Sequence, residues 1–359
     1  MPSLLKIKLS QAARSEGRAA VRIRRLADLQ GNMDDTWVQT ALRVGPDEER
    51  ELTVEPGYFS VDTYGRNGRW TDTQAKVGVD ETCWVDVTPE RCGYRPVDVR
   101  SSRSSGFDLL TTDENVDEWK FVLDAKADAG RPTCIAKADE DGDVFIGRMD
   151  ARGRHWVRYL RDGVQVIAAV PLGPENRDEV GRAVLRTRYR DLPAMAFGEE
   201  HPDVSVMADL LVCGSSSAEM YYINTFDQGD VLGLFDRKPF HFMTYALAQN
   251  GEPYGAGIPA LIGPSPHDEW LPDMLIAQAH RRLHWNKYEQ EHLDAAADLF
   301  LRSMSVGVPY FARSLRLLSD GLMILENTRP EMEEASRLVY RMSTRVYPEE
   351  TFTTIRLDI

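Results

Sequence analysis

Hydrophobic residues recur at the 3.6-residue period of α-helices from residue 270 to residue 346. Four stripes have this spacing: Leu275, Ile276, Ala279 and Leu283; Leu293, Ala296, Ala297, Phe300, Leu301 and Met304; Phe311, Leu315, Leu318, Leu322 and Leu325; and Ala335, Leu338, Val339, Met342 and Val346. Gly307 is expected to stop the second helix in left-handed backbone, and Pro309 suits the first turn of the third. The pattern predicts antiparallel helices joined by short turns.

The helical period is expected to begin just after Pro174, where a β pattern ends. Asn176 to Arg190 is arginine-rich and amphipathic, another helix is expected after His201, and Pro239 to Gln249 has the composition of a third. These segments predict one α-helical array over residues 175–359. The array is TPR-like at most, because its helices look too long and the tryptophan and glycine positions of that repeat are not met.

The first 100 residues follow the period of two that is typical of β-strands. Candidate strands are Leu5 to Leu9, Ala20 to Arg24, Thr36 to Val44, Ala75 to Val79 and Cys83 to Val87. Pro56-Gly57 forms a turn between two short strands, and Arg66 to Arg69 forms a hairpin turn. Strands at this spacing predict a small antiparallel β-sandwich over residues 1–100.

A linker is expected at residues 101–118, since the serine-rich segment from Ser101 to Gly106 cannot bury apolar surface. Strands are then predicted again over residues 119–174, from Lys120–Leu123 to Val164–Val170. This second β region is either separate or a continuation of the first sandwich. The sequence therefore predicts an α+β protein, with β-sandwich regions followed by a C-terminal array of α-helical hairpins.

The charge balance disfavours general nucleic-acid binding, because 57 acidic residues against 43 basic residues give a net charge of -14. The first 43 residues are the exception, with eight basic residues against four acids. The basic residues are Lys6, Lys8, Arg14, Arg18, Arg22, Arg24, Arg25 and Arg43. No aromatic residue interleaves the arginines from Arg14 to Arg25 in sequence, so a solvated face is favoured over a nucleic-acid or lipid patch.

The four cysteines, Cys83, Cys92, Cys134 and Cys213, have neither CxxC spacing nor adjacent histidines, which argues against a structural zinc site. No cationic and then apolar leader opens the chain, and no segment approaches the ~20 apolar residues of a membrane span. A cytoplasmic protein with no membrane association is the expectation.

Cys213 is the candidate nucleophile, because Met207 to Val212 could form a strand that delivers it to a turn. A cysteine hydrolase would pair this thiol with His155 or His201. Neither histidine follows an apolar strand in a His-Gly turn, and Pro202 marks His201 as a helix entry. A buried structural cysteine is therefore the favoured interpretation.

No metal or cofactor is expected from the remaining motifs. Counting an EF-hand from Asp139 puts Asp150 where the twelfth-position glutamate belongs, and strand residues follow the acidic run. His280 and His284 lie one helical turn apart, but Arg281 and Arg282 stand between them and oppose a dication. The glycines from 251 to 263 lack the lysine of a phosphate-binding loop.

Two segments resemble proteins of bacterial peptidase systems. The β segment with Val54-Glu55-Pro56-Gly57-Tyr58, Gly68 and Trp84-Val85-Asp86-Val87 resembles small β-sandwich modules beside bacterial peptidases. The helical segment resembles accessory proteins of bacterial defence systems, which are found beside caspase-like or CHAT peptidases. The motifs that carry this resemblance are His201-Pro202, Leu271-Pro272-Asp273, Ala296-Ala297-x-Leu299-Phe300-Leu301-Arg302, Gly307-Val308-Pro309 and Leu315-Arg316-Leu317-Leu318-Ser319-Asp320-Gly321-Leu322. The resemblance implies such a peptidase as the protein partner.

Because each catalytic pattern is incomplete, the sequence predicts a non-enzymatic interaction protein that acts as adaptor, regulator or substrate of that peptidase. Candidate anchors on the helical array are Trp270, Trp285, Tyr288, Tyr310 and Arg316, and each could equally be a core residue. A substrate would be cut in an exposed segment such as Ser101 to Gly106, with Ser105 inside it, or Tyr254 to Pro266. The alternative function is a cysteine hydrolase that uses Cys213.

Overall fold

The protein is described by a computed structural model. The described residues are 2–10, 19–45, 48–64, 70–88, 95–96, 107–112, 117–124, 134–138, 144–148, 154–173, 183–186, 194–197, 239–249, 265, 267–285 and 289–357. The chain divides into two compact units, of which the first includes described residues 2–88 and the second includes described residues 95–357. The predicted boundaries at residues 100, 118 and 174 stay predictions.

The first unit consists of strands at nearly all the positions that the alternating pattern predicts. They are β1 (Leu4–Leu9), β2 (Ala19–Ala27), β3 (Met33–Val44), β4 (Glu49–Thr53), β5 (Gly57–Tyr64), β6 (Trp70–Val77) and β7 (Thr82–Val87). Two sheets form, with strand orders β4-β1-β7 and β3-β2-β5-β6. Every pair is antiparallel except β1 with β7, which run parallel and place Leu5 opposite Cys83.

Side chains from both sheets of the first unit contribute to one hydrophobic core. Alternate residues of each strand point into it, as the period of two requires. Its members include Leu5, Ile7, Leu9, Val21, Ile23, Phe59, Val61, Val77, Val85 and Val87. The polar residues between them therefore lie on the outer faces of the sheets, where Lys6, Lys8 and Arg22 are found.

The second unit contains nine further strands and six helices among the described residues. The strands are β8 (Arg95–Pro96), β9 (Phe107–Thr112), β10 (Cys134–Ala138), β11 (Val144–Arg148), β12 (Arg154–Arg161), β13 (Val164–Val170), β14 (Ala183–Arg186), β15 (Ala194–Phe197) and β16 (Thr354–Arg356). They form two antiparallel sheets, in the orders β15-β14-β11-β10-β8 and β16-β13-β12-β9. Asp162-Gly163, both with positive φ, close the β12–β13 hairpin.

The helices are α1 (Glu118–Asp124), α2 (Pro239–Gln249), α3 (Pro272–Trp285), α4 (Gln290–Val306), α5 (Ala312–Leu325) and α6 (Pro330–Ser343). The last four correspond to the four predicted stripes, and the predicted Pro239 to Gln249 helix is α2 itself. The α+β class is therefore confirmed, whereas the sandwich and TPR-like arrangements stay predictions. No helix in the described part of the chain is both long and apolar enough to cross a bilayer.

Three local predictions were wrong. Lys120–Leu123 lies in helix α1 and not in a strand, with Trp119, Phe121 and Val122 buried. The predicted helix from Asn176 to Arg190 contains strand β14, which pairs with β11 and β15. Pro309 precedes helix α5, whose N-cap is Phe311, so the proline belongs to the α4–α5 connection. In the first two cases sheet or core contacts with distant residues decided the local structure.

An aromatic cluster joins the end of the strands to the helices of the second unit. Phe197 on β15 packs edge-on against Phe352, with 4.8 Å between the ring centroids. Phe311 lies 5.2 Å from Phe352 and 6.4 Å from Phe240 of α2. Tyr310 completes the cluster at 5.0 Å from Phe240. These rings fix the start of α5 against elements that are distant in sequence.

Helices α4 and α5 approach closely where Phe300 lies over Gly321. A Cβ atom at position 321 would collide with two atoms of the Phe300 ring and lie in tight contact with a third. We expect Gly321→Ala to lower the free energy of unfolding by about 1–3 kcal/mol through overpacking, although alanine favours helix by about 1 kcal/mol. Urea denaturation followed by circular dichroism measures this change. Ser319→Ala on the same helix is the control for propensity, and Phe300→Leu should recover part of the loss in the double variant.

Candidate functional site

A buried ionic cluster lies where β12, α1 and the α4–α5 connection meet in the second unit. The Glu118 carboxylate accepts hydrogen bonds from the Trp156 indole at 2.8 Å and from the Val308 backbone N–H at 2.8 Å. Arg154 donates to the same carboxylate at 2.9 Å and also donates to the Val308 carbonyl. One strand residue and one short helix therefore hold the backbone of Val308 from both sides.

Asp273, in the first turn of α3, has the same role two and three residues further along the connection. Its carboxylate accepts the Tyr310 backbone N–H at 2.9 Å and the Phe311 backbone N–H at 3.0 Å. Asp273 is 0% exposed. Because unsatisfied buried N–H groups are costly, these two bonds stabilise the entry into α5, whose N-cap residue Phe311 has no side chain that could cap the helix.

The Arg154 guanidinium lies 4.0 Å from the centroid of the Tyr310 ring. Burial raises the pKa of Glu118 and the pKa of Asp273, and Arg154 acts in the opposite direction on both carboxyl groups. Burial also raises the pKa of the Tyr310 hydroxyl. Shifted pKa values of this kind mark active sites, but they also mark structural ion-pair networks.

The hydrogen-bond pattern favours a structural role for the cluster. Both oxygens of Glu118 and both oxygens of Asp273 already accept bonds from protein groups. A general acid or base needs an oxygen that can reach a substrate proton. Over the described ranges, no group of three or more His, Cys, Asp or Glu side chains is placed to hold a metal ion.

The predicted interaction residues have different positions. Tyr310 is 1% exposed and contributes to the core, the alternative that the sequence left open for it. Trp270 is half-buried, 5.6 Å from Phe240, and a Cβ at Gly173 would lie 2.9 Å from its ring. Arg316 is accessible, with 81% of its side chain exposed. Trp285 ends helix α3, and Tyr288 lies outside the described residues.

The residues of the hydrolase alternative are not seen together. His155 lies on β12 and is 1% exposed, so solvent and substrate do not reach it in this conformation. Cys213 and His201 lie outside the described residues, as does the candidate cleavage segment with Ser101, Ser105 and Gly106.

Two exposed tryptophans of the first unit lie beside the basic residues noted in the sequence. Trp37 on β3 is opposite Arg24 of β2, and the Arg22 and Arg24 guanidinium groups lie 5.2 Å and 5.6 Å from its ring. Arg22 is itself ion-paired with Asp62 at 2.7 Å. The strand pairing thus brings an aromatic ring between arginines that no aromatic residue separates in sequence.

Trp84 on β7 has a matching arrangement on the other sheet of this unit. Parallel pairing places it opposite Lys6 of β1, and the ammonium groups of Lys6 and Lys8 lie 5.2 Å and 5.0 Å from the ring. Lys6 is ion-paired with Glu51 at 2.7 Å, and this carboxylate raises the pKa of Lys6. Trp37 and Trp84 are both 47% exposed, so each presents a rigid ring to solvent.

The second unit exposes large apolar side chains on the outer side of α5 and α6, a surface that we call the hairpin face. Met323 and Ile324 on α5 are 60% and 61% exposed, and Tyr340 on α6 is 62% exposed. Arg316 lies on the same side of α5, about two helical turns before both of them. Exposed tryptophan, tyrosine and methionine of this kind are enriched where proteins bind each other.

The comparison with known protein families concerns the helical part of the second unit. Residues 245–356 match the model of a family described as the Y4kD C-terminal domain. The match covers less than a third of the chain and includes helices α3 to α6. No curated protein and no solved structure matches the chain. The family description names neither an activity nor a partner.

Proposed function

We propose that this protein is a non-enzymatic interaction protein of a bacterial defence system, acting as adaptor, regulator or substrate of a caspase-like or CHAT peptidase. A peptidase is proposed as the partner because of the resemblance of the helical segment to accessory proteins of such systems. The observation that carries an interaction function is the pair of exposed tryptophans, Trp37 and Trp84, each held beside two cationic side chains. The two sheets of the first unit share one hydrophobic core, which supports a β-sandwich as the scaffold of these rings.

Tryptophan is the residue type most enriched among binding hot spots, because it buries a large area at a small cost in side-chain entropy. The neighbouring cations orient each ring and add polar contacts around it. A saturated Glu118–Asp273 cluster supports the non-enzymatic part of the proposal, since its carboxylates are occupied by the backbone of residues 308–311. The first unit is therefore proposed as the partner-binding unit.

The proposal is tested by using the full chain as bait in its native cells and identifying co-purified proteins by mass spectrometry. We expect a peptidase in near-stoichiometric amount with the wild-type bait and with Cys213→Ala. Trp37→Ser or Trp84→Ser should reduce its recovery by about tenfold or more, because loss of a binding ring that contributes about 1.4 kcal/mol or more weakens affinity by that factor. Val79→Ser is the matched control, since Val79 is 70% exposed and lies in a turn.

Two results would count against the proposal. Recovery that is equal for the tryptophan variants and the control would show that the rings do not bind the partner. A bait without any peptidase, whose Cys213 reacts rapidly with iodoacetamide at neutral pH, would favour the hydrolase alternative, since a reactive thiol must be a thiolate.

A further inference from the structure

The hairpin face combines its apolar residues with a separation of charge along the two helices. Helices α5 and α6 pack against each other and are joined by residues 326–329, so they run antiparallel. The end near this connection contains Asp320, Glu331, Glu333 and Glu334, whereas the opposite end contains Arg316, Arg337 and Arg341. Arg329, the basic residue at the acidic end, is ion-paired with Asp294 and Asp298 of α4. The face is therefore acidic at one end and basic at the other.

The charged residues of this face are accessible and only weakly engaged within the chain. The Arg316 side chain is 81% exposed and lies 4.0 Å from Asp320, which is 56% exposed. Arg337 is 74% exposed and pairs with Glu333 within the same helix. Exposed pairs of this spacing contribute about 0.3–0.5 kcal/mol each, so exchanging them for intermolecular pairs costs little.

Leucine side chains already form the buried side of α5, so the exposed apolar residues of this helix are not part of the core. Leu315, Leu318, Leu322 and Leu325 supply the buried stripe of the helix. Met323 and Ile324 lie outside that stripe and have no place in the core of their own chain. Their exposure leaves apolar area that association would remove from water.

From this face we infer that two copies of the chain associate through the hairpin face, related by a two-fold axis that lies across α5 and α6. Such an axis places the acidic end of one hairpin face against the basic end of the other, so each charge contact occurs twice. Met323 and Ile324 lie near the connection and Tyr340 near the opposite end, so the axis also brings Met323 and Ile324 of one copy towards Tyr340 of the other. A surface with opposite charges at its two ends is complementary to itself in this orientation alone.

The area of the hairpin face determines how strongly the two copies are expected to associate. A helix of 14 residues is about 21 Å long. Two such helices side by side offer about 400 Å² per copy, half the area of a standard interface. A weak dimer is expected, with a dissociation constant on the order of 10 µM that increases with salt because the charge contacts are solvent-exposed.

Sedimentation velocity of the full chain, from about 1 µM to about 100 µM, measures this equilibrium directly. We expect a shift from monomer to dimer over this range. The variant Arg316→Glu/Arg337→Glu and the variant Asp320→Arg/Glu334→Arg should each remain monomeric, because like charges then meet twice in either homodimer. An equimolar mixture of the two variants should recover the dimer, since every contact between the two different chains is again between opposite charges.

Apolar contacts are tested with Tyr340→Ser and Met323→Ser, each of which should raise the dissociation constant by about tenfold. Leu160→Ser is the matched control, since Leu160 is 56% exposed on β12 of the same unit and belongs to neither helix of the hairpin face. Circular dichroism of each variant shows that it is folded. A wild-type chain that stays monomeric at about 100 µM, or a mixture of the charge variants that stays monomeric, would overturn the inference.

Discussion

Glu118→Gln is expected to lower the free energy of unfolding of the second unit by about 3–5 kcal/mol. The glutamine keeps the volume of the side chain but leaves the Arg154 guanidinium buried without its counter-charge. It also replaces a charged acceptor of the Val308 N–H and the Trp156 indole by a neutral one. Urea denaturation followed by circular dichroism gives the change, and tryptophan fluorescence should report it as well.

Two further variants distinguish the buried pair from a surface pair. Glu333→Gln removes the partner of Arg337 on the exposed side of α6 and should change the free energy of unfolding by less than about 0.5 kcal/mol. Glu118→Gln combined with Arg154→Met should be less destabilised than Glu118→Gln alone, because the unpaired charge is then absent. Equal small effects for Glu118→Gln and Glu333→Gln would show that the buried pair contributes little.

Gly307→Ala is expected to destabilise the second unit by about 4 kcal/mol or more, since two separate costs add. Gly307 has φ 144° and ψ -168°, a backbone region that residues with a side chain rarely adopt. A Cβ atom at this position would collide with the Glu118 carboxylate and the Arg154 guanidinium. The alanine therefore strains the backbone and displaces the ion pair. Urea denaturation and thermal unfolding both measure the loss.

Gly163→Ala is the matched control for backbone strain alone. Gly163 also has a positive φ, 75°, but no atom lies within 4 Å of a Cβ built on it. We expect a cost of about 1–2 kcal/mol at this position. If the two alanine variants unfold at the same denaturant concentration, the collision with the ion pair has no measurable effect, and the space around Gly307 must be able to adjust.

The elements that the sequence predicted well are those whose own residues contain the whole pattern. The strand Val164–Val170 and the helix Pro239–Gln249 were predicted to the residue. Helices α3 to α6 follow from apolar stripes several turns long, which few alternative structures can satisfy. By contrast, Lys120–Leu123 is a short apolar segment, and such segments do not distinguish strand from helix.

The buried ionic cluster was not predicted, because its members are far apart in sequence. Glu118 lies 36 residues before Arg154 and 190 residues before Val308, yet the three meet within hydrogen-bond distance. Asp273 belongs to one of the motifs that carry the resemblance of the helical segment, but no role was predicted for it from the sequence. Gly307 was the sequence feature that could have indicated a close contact at this position. It was interpreted as a left-handed helix stop, and its contact with the Glu118–Arg154 ion pair was not predicted.

Some of the exposed residues could be identified from the sequence, and others could not. Arg316 was identified from the sequence as an anchor, and it is exposed. Trp37, Trp84, Met323, Ile324 and Tyr340 were not singled out, since a sequence does not show which apolar residues remain outside the core. Trp37 in particular lies 13 residues after Arg24 in the chain and directly opposite it in the sheet.

The sequence by itself determined the α+β class, the positions of most strands and the four-helix C-terminal region, because hydrophobic periodicity is a local property. The tertiary structure alone decided which charged residues are buried as partners and which aromatic and apolar residues stay exposed. These outcomes depend on contacts between elements that are remote in sequence, such as β12 with the α4–α5 connection. A pattern along one chain segment specifies the face that is buried, but not the residues that the face will meet.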